Sequence, residues 1–202
     1  MRVLKVKPDL ENYPTPPWVV ERLLEACPLP GGTWFEPCAG SGSIIKAITR
    51  PDVRWNASEI REEPIAELRG IETVKRVDHV NFLDTGYVPE HANVVLTNPP
   101  FSQAADFLTK SLRSADHVVL LLRLSFLSSQ GRYSLLKNNV PNVYVLPERP
   151  SFAHGTTDKW DYAWFHWDSR KSPNLSGRIV YLQRTDPNVV KHYREMGRKV
   201  EK

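Results

Sequence analysis

The sequence predicts an α/β fold: a mostly parallel β-sheet with helices on both faces and an antiparallel pair of strands at one edge. Three observations predict it. Short apolar runs alternate with helical segments from residue 33 to about residue 138, the pattern of strand–helix–strand units. The run from His117 to Leu124 is almost continuously apolar, as a strand buried on both faces has to be. The last three strand-like runs follow one another without a helix between them, which suits an antiparallel hairpin.

Taken in order, residues 1–15 read as extended or irregular. A helix follows Thr15, which serves as its N-cap, with Pro16 in the first turn and Val20, Leu23, Leu24 and Cys27 on one apolar face. Pro28, Pro30, Gly31 and Gly32 end it. Thr33 to Glu36 is the first strand and Gly42 to Arg50 a short helix. Val53 to Ile60 is the second strand, and Glu62 to Leu68 a helix that turns Ile65 and Leu68 inward. Thr73 to Val80 is the third strand and Asn93 to Thr97 the fourth. Ser102 caps a helix with Ala104, Phe107, Leu108 and Leu112 on one face. His117 to Leu124 is a strand and Gly131 to Asn138 a helix. Asn142 to Leu146, Asp161 to Trp167 and Arg178 to Gln183 are the closing strands, and residues 186–202 form a terminal helix or tail. The aromatic series Trp160, Tyr162, Trp164, Phe165 and Trp167 reads as core.

The 202 residues, 41% hydrophobic, suit one globular domain over residues 1–185. No apolar run reaches membrane-span length, and the first residues carry no long apolar signal-peptide core. Cys27 and Cys38 build no disulfide framework and lack zinc-site spacing, and the six histidines show no metal spacing, so no metal is expected. A reducing cytoplasm (a host's cytoplasm if the chain is viral) is the expected location. The charge is uneven: residues 170–202 hold nine Lys/Arg against Asp186, Glu195 and Glu201, a balance of +6, which leaves −2 for the rest of a chain whose total is +4. A basic tail on a near-neutral body suits contact with a polyanion. Arg123, Arg132, Arg149 and Lys159 fall in segments expected at the ligand edge and are candidate phosphate contacts.

The fourth strand runs into Asn98-Pro99-Pro100-Phe101. Proline has no N–H to donate and fixes its own φ, so the strand stops there. The stop leaves an amide, carbonyls and an aromatic ring at the carboxyl end of a strand, where open α/β sheets bind ligands. Asn98 Oδ1 and the Pro99 carbonyl can each accept a hydrogen from a planar amine, and Phe101 can stack on its ring. The first strand runs into Phe35-Glu36-Pro37-Cys38-Ala39-Gly40-Ser41-Gly42, small residues that let the backbone approach a ligand. No Gly-Lys-Ser/Thr follows, so this is not a Walker-type nucleotide loop. Glu36 there would repel a pyrophosphate but attract an ammonium or sulfonium group. Glu59 ends the second strand about 20 residues past the glycine loop, a position suited to ribose hydroxyls. Asn81 and Phe82 end the third strand; they read equally as an adenine contact or as a turn residue and a core residue.

These segments resemble a known family. The stretch from Phe35 to Gly42 is similar to the first motif of class I S-adenosylmethionine-dependent methyltransferases, and Asn98-Pro99-Pro100-Phe101 to the amino-methyltransferase motif Asn/Asp-Pro-Pro-Tyr/Phe. Tyr13-Pro14-Thr15-Pro16-Pro17-Trp18-Val19-Val20 resembles the N-terminal cofactor motif of DNA adenine-N6 methyltransferases, and the motif order matches their gamma arrangement. Arg149-Pro150-Ser151-Phe152 resembles a later motif whose aromatic residue stacks on an extruded base. The likeness is to small, stand-alone enzymes of the bacteriophage type.

The resemblance implies a Rossmann-like class I methyltransferase fold with a mostly parallel seven-stranded sheet and an antiparallel edge hairpin. It implies S-adenosylmethionine as methyl donor, S-adenosylhomocysteine as product, and adenine N6 of DNA as acceptor after base flipping. Asn98 and Pro99, followed by Pro100, would hold the amine, and Phe101 and Phe152 would stack on the base. Tyr13 and Thr15 would lie near the methionine moiety, with Glu36 and Gly40 by its ammonium and Cys38 and Gly42 in the same loop. Glu59 would take the ribose hydroxyls, Ile60 and Phe82 sandwich the adenine, and Asn81 or Asp84 read its amino group. With no separate target-recognition domain expected, the recognition sequence is expected to be short or relaxed. An RNA adenine-N6 methyltransferase is the nearest alternative. A protein glutamine methyltransferase, which meets the same –NH₂ chemistry, and a non-catalytic cofactor-binding module are further ones.

Overall fold

Prolines set several element boundaries more sharply than the apolar pattern does. The structure, a computed structural model, describes residues 13–152, 159–171, 177–183, 185–189 and 191–192. Residues 1–12, most of the 153–159 loop and most of the basic tail lie outside them. The first helix, α1, spans Pro17–Ala26, and its N-cap position is held by Pro16 rather than by Thr15. The second, α2, is only Ser43–Lys46, because the chain tightens into i→i−3 bonds after Lys46; Pro51 then disfavours helical backbone at Arg50. The third, α3, is Ile65–Arg69, since Pro64 delays its start. Helix α4, Ala104–Ser111, follows a 3-10 turn at Phe101–Gln103, and no Ser102 cap forms. Helix α5 is Tyr133–Leu136.

The strands are β1 (Gly32–Glu36), β2 (Val53–Glu59), β3 (Val74–His79), β4 (Ala92–Thr97), β5 (Ala115–Arg123), β6 (Asn142–Val145), β7 (Tyr162–Asp168) and β8 (Ile179–Tyr181). They form one sheet in the order β3-β2-β1-β4-β5-β7-β6-β8. The pairs β1–β2, β1–β4, β2–β3 and β4–β5 are parallel. Strand β7 runs antiparallel to both β5 and β6, so the expected antiparallel edge is there. The sheet has eight strands, not the seven expected: β8 lies outside β6 and parallel to it. Its three residues carry little burial signal, since Ile179 and Tyr181 are exposed.

The alternation of side chains sorts the core into two layers. On one face Trp34, Val94 and Leu96 meet Trp18 and Leu23 of α1, Ile44 and Ile45 of α2 and Leu68 of α3. On the other, Phe35 and Val95 meet Ala104, Phe107 and Leu108 of α4. Helices therefore cover both faces. Trp34 and Trp55 meet edge to face with ring centroids 5.4 Å apart in the first layer, and truncating either to Ala removes about 3–5 kcal/mol. The aromatic series divides by parity: Tyr162 and Trp164 enter the first layer, Phe165 and Trp167 the second. Trp160 alone stays exposed.

Two buried histidines join β5 and β7. His117 Nδ1 lies 3.0 Å from His166 Nε2, and the Cys27 thiol is 3.8 Å from His166 Nδ1. Burial, reinforced by the neighbouring His117, pushes the His166 imidazole down to about 4, and burial lowers His117 as well despite the nearby Asp168. A folded-state value below the unfolded one means that the unfolded chain binds more protons in between. Folding stability is therefore expected to hold above about pH 6.5 and to fall as pH drops toward about 4. Urea unfolding across that window measures it, and His166→Phe is expected to flatten the slope.

Candidate active site

The chain leaves β1 toward β2 and β3 on one side and resumes with β4 and β5 on the other. Sheets of this type bind ligands at such a reversal, here the carboxyl ends of β1 and β4. The ends of β1, β2 and β4 deliver Glu36, Glu59 and Asn98 to one edge.

The loop after β1 is tied down by backbone bonds. Ala39 N donates to Ser58 O at 3.0 Å, Gly42 N to Ala39 O at 2.8 Å, and Ser58 Oγ to Pro37 O at 3.0 Å. Gly40 and Gly42 have φ of 54° and 79°, and a Cβ at Gly42 would meet Ile71 Cδ1 at 2.7 Å. Only glycine fits that crowded left-handed position. Gly40 N donates to Glu59 Oε2 at 2.7 Å, while Glu59 Oε1 accepts from Arg61 N at 2.9 Å and Arg61 Nε at 3.0 Å. Glu36 is different. It is buried, and its Oε2 has no hydrogen-bond partner among the described residues. Burial first, and the Glu59 charge second, push its carboxyl well above the usual carboxylate range. A buried acceptor left unsatisfied carries a desolvation cost that a cationic ligand would remove.

At the end of β4, Asn98 Nδ2 donates to Tyr13 O at 3.0 Å and to Thr15 Oγ1 at 3.2 Å. Its Oδ1 is buried and has no partner among the described residues. The Cys38 thiol lies 2.9 Å from Thr97 Oγ1 and 3.6 Å from Asn98 O, so it joins the glycine loop to this strand end. Pro99 is buried and Pro100 half-buried. Four aromatic rings gather beside them. Phe101 lies 5.9 Å from Tyr13 in a stacked arrangement, 5.4 Å from Tyr162 and 6.5 Å from Phe152. Phe152 packs 5.0 Å from Tyr162 and 6.0 Å from Tyr13. Phe152 is buried, whereas Tyr13 is 37% exposed.

The residues expected around the cofactor adenine are more scattered. Ile60 stands 40% exposed just past β2. Phe82 is buried, 5.8 Å from Phe35 and 5.2 Å from Phe107, with Lys110 Nζ 5.2 Å from its centroid. Asn81 Oδ1 accepts from Leu83 N at 2.9 Å and Asp84 Oδ1 from Gly86 N at 2.9 Å, each within its own turn. Arg61 and Tyr162 were not singled out for the site from sequence. Arg61 was legible as the opposite charge two residues past Glu59. Tyr162 was not, because its position depends on the direction of β7.

No protein-family model and no curated protein matches the sequence. Solved structures do match. The methyltransferase subunit of a type I restriction-modification system from Streptococcus thermophilus superposes with a TM-score of 0.65 at 15% identity, over 95% of this chain and 54% of that one. A candidate class I S-adenosylmethionine-dependent methyltransferase from Listeria monocytogenes gives 0.58 at 12% identity, over 92% and 69%. The 23S rRNA methyltransferase ErmE gives 0.57 at 15% identity, over 89% and 74%. The fold is that of the class I methyltransferases. This chain spans about half the length of the restriction-modification subunit it matches. Within this fold the glycine loop and the Asn98 strand end follow adjacent parallel strands, so the two most specific motifs in the sequence lie at the same edge of the sheet.

Burial pushes the Cys38 thiol up, and the carboxylates of Glu36 and Glu59 add to the effect against the Thr97 hydrogen bond. Cys27 is raised by burial as well. Because the thiolate is the reactive form, both thiols are expected to react with a chromogenic disulfide reagent at least about tenfold more slowly in the folded chain than after denaturation. Rapid native labelling of either one, located by mass spectrometry, would contradict this geometry.

Proposed function

We propose that this chain transfers a methyl group from S-adenosylmethionine to the N6 amino group of adenine in DNA, with short or relaxed sequence specificity. The observation that carries the reading is the unsatisfied Asn98 Oδ1, held at the strand end by two bonds from its own Nδ2. An adenine amine has a lone pair delocalised into the ring. Acceptors on its hydrogens, Asn98 Oδ1 and the Pro99 carbonyl, favour a pyramidal nitrogen whose lone pair points out of the ring plane. Phe101 and Phe152 support the extruded base by stacking, an interaction of about 1–3 kcal/mol per base. The proton leaves after the transfer, so no strong base is needed at the amine.

The residues present fit the cofactor. The unpartnered Glu36 Oε2 suits its ammonium group, with Gly40, Cys38 and Gly42 forming the adjoining loop and Tyr13 and Thr15 closing over the methionine end. Glu59, steadied by Gly40 N–H and Arg61, retains acceptor capacity for ribose hydroxyls, with Ile60, Phe82 and Asn81 or Asp84 assigned to the adenine. S-adenosylmethionine supplies an activated methyl on a sulfonium, so the protein's share is positioning and polarisation.

DNA is favoured over RNA by the order of the motifs, with the Tyr13–Val20 segment first and Asn98 after the glycine loop, and by the restriction-modification neighbour. The rRNA methyltransferase neighbour keeps RNA as the second reading. Methyl transfer to unmodified DNA and to matched RNA, followed by nucleoside mass spectrometry, decides between them; N6-methyldeoxyadenosine is the expected product. Asn98→Ala is expected to lower turnover by at least about 100-fold while S-adenosylhomocysteine still binds. Full activity in that variant would remove Asn98 from the reaction.

Glu36 gives a second, independent test. The ligand ammonium favours the ionised carboxyl, whose free-state value is raised. Affinity for S-adenosylhomocysteine is therefore expected to rise with pH until Glu36 ionises unaided, above the ordinary carboxylate range. Glu36→Gln is expected to bind more weakly and without that pH dependence, as calorimetry across the range would read.

A further inference from the structure

Next to the Asn98 strand end, a cavity of about 110 Å³ opens between Phe101, Leu122, Arg123, Ser125, Phe126 and Arg132. Liquid water occupies about 30 Å³ per molecule, so the space admits several waters or a phosphate group. Two guanidinium groups line it. Arg123, the last residue of β5, is held between two rings, 4.6 Å from the Phe101 centroid and 5.1 Å from that of Trp160. Its Nε reaches Tyr162 Oη at 3.5 Å. Arg132 Nε donates to Phe126 O at 2.8 Å and its Nη2 to Ser125 O at 3.1 Å, with the guanidinium 4.7 Å from the Phe126 centroid.

Neither arginine meets a carboxylate among the described residues. By contrast Arg22, Arg50, Arg61, Arg76, Arg149 and Arg170 all do. Rings and backbone carbonyls position Arg123 and Arg132 without neutralising them. Two half-buried positive charges sharing one concave site repel each other, and a bound anion removes that repulsion. A guanidinium fork matches the geometry of phosphate oxygens.

We infer that this cavity binds the phosphodiester next to the flipped nucleotide. The inference rests on the adenine methylation reading, because Phe101 is shared: the ring assigned to the target base is the ring on which Arg123 lies. A nucleotide whose base stacks on Phe101 carries its own phosphate within reach of the same wall. The two arginines thereby fix where the strand leaves the cleft, and they contact it without reading sequence.

Binding of a fluorescein-labelled single-stranded DNA containing one adenine, followed by anisotropy with S-adenosylhomocysteine present, tests it. Arg123→Gln and Arg132→Gln are each expected to weaken binding about tenfold and to reduce the slope of log affinity against log salt by about 0.7. A neutral methylphosphonate beside the adenine is expected to weaken wild-type binding similarly and to add little in Arg123→Gln. That arm needs no folded variant, and S-adenosylhomocysteine affinity checks the folding of the others. Full additivity, or a neutral linkage that binds as well as the natural one, overturns the inference. So does displacement of the DNA by inorganic phosphate while the neutral linkage has no effect, which would mark a free-phosphate site only. Adenine methylation with an indifferent linkage overturns the anion site and leaves the reaction standing. Coupled loss of binding without any adenine methylation supports the anion site and removes the reaction.

Discussion

The Asn98 amide can take only one of its two orientations. Tyr13 O is a carbonyl and only accepts, so the amide nitrogen must face it. Turning the amide over would set two oxygens against each other at Tyr13 O, whereas the Thr15 hydroxyl, donor or acceptor, accommodates either orientation. The segment before α1 therefore dictates which Asn98 atom is left without a partner, and that atom is an acceptor. A donor left there would suit a carbonyl or phosphate instead. The chemistry of the cleft thus depends on two bonds from a segment more than eighty residues away in sequence.

The two carboxylates of the cleft divide their tasks by environment. Glu59 is satisfied on both oxygens, by Gly40 N–H and by Arg61, and its charge is balanced. Among the described residues Glu36 has neither a complete set of bonds nor a counter-charge of its own, and burial first, then the charge on Glu59, raises its value. A cation entering beside Glu36 supplies the missing partner, favours its ionised form and is drawn there by the charge on Glu59. The covalent tie of Glu36 to the glycine loop through Pro37, and the Cys38 contact to Thr97, keep the β1 and β4 ends at a fixed spacing. Preorganisation of this kind lowers the reorganisation needed on binding.

Most of the sheet was legible because its strands are apolar runs cut by Pro and Gly. Asn98-Pro99-Pro100 was legible for a further reason: an abrupt strand end is a local event. Helix limits were less so: α2 stops at Lys46, short of the expected Arg50, and α3 starts after Pro64, which the apolar spacing alone ran through. The eighth strand escaped the count because a three-residue edge strand with exposed Ile179 and Tyr181 shows no burial pattern. The Asn98 bonds to Tyr13 and Thr15, the His117–His166 pair and the Phe101–Arg123 contact escaped for another reason. Each joins residues distant in sequence, and no periodicity encodes which strands are neighbours.

The reversed strand explains how an aromatic wall arises at the ligand edge at all. Strand β5 ends there with Arg123, and β7, running the other way, begins there with Tyr162; the two residues are register partners. The segment leading into β7 must then approach from that same edge, which is where β6 also ends, its direction matching that of β5. Phe152 and Trp160 lie on that connection, and so they reach Phe101 and Arg123. A parallel β7 would have delivered Asp168 to the cleft and carried Tyr162 to the far end, beside the position His117 now holds. Strand β7, antiparallel to both its neighbours, therefore sends Tyr162 and the connection carrying Phe152 and Trp160 to one end of the sheet and the buried histidine pair to the other.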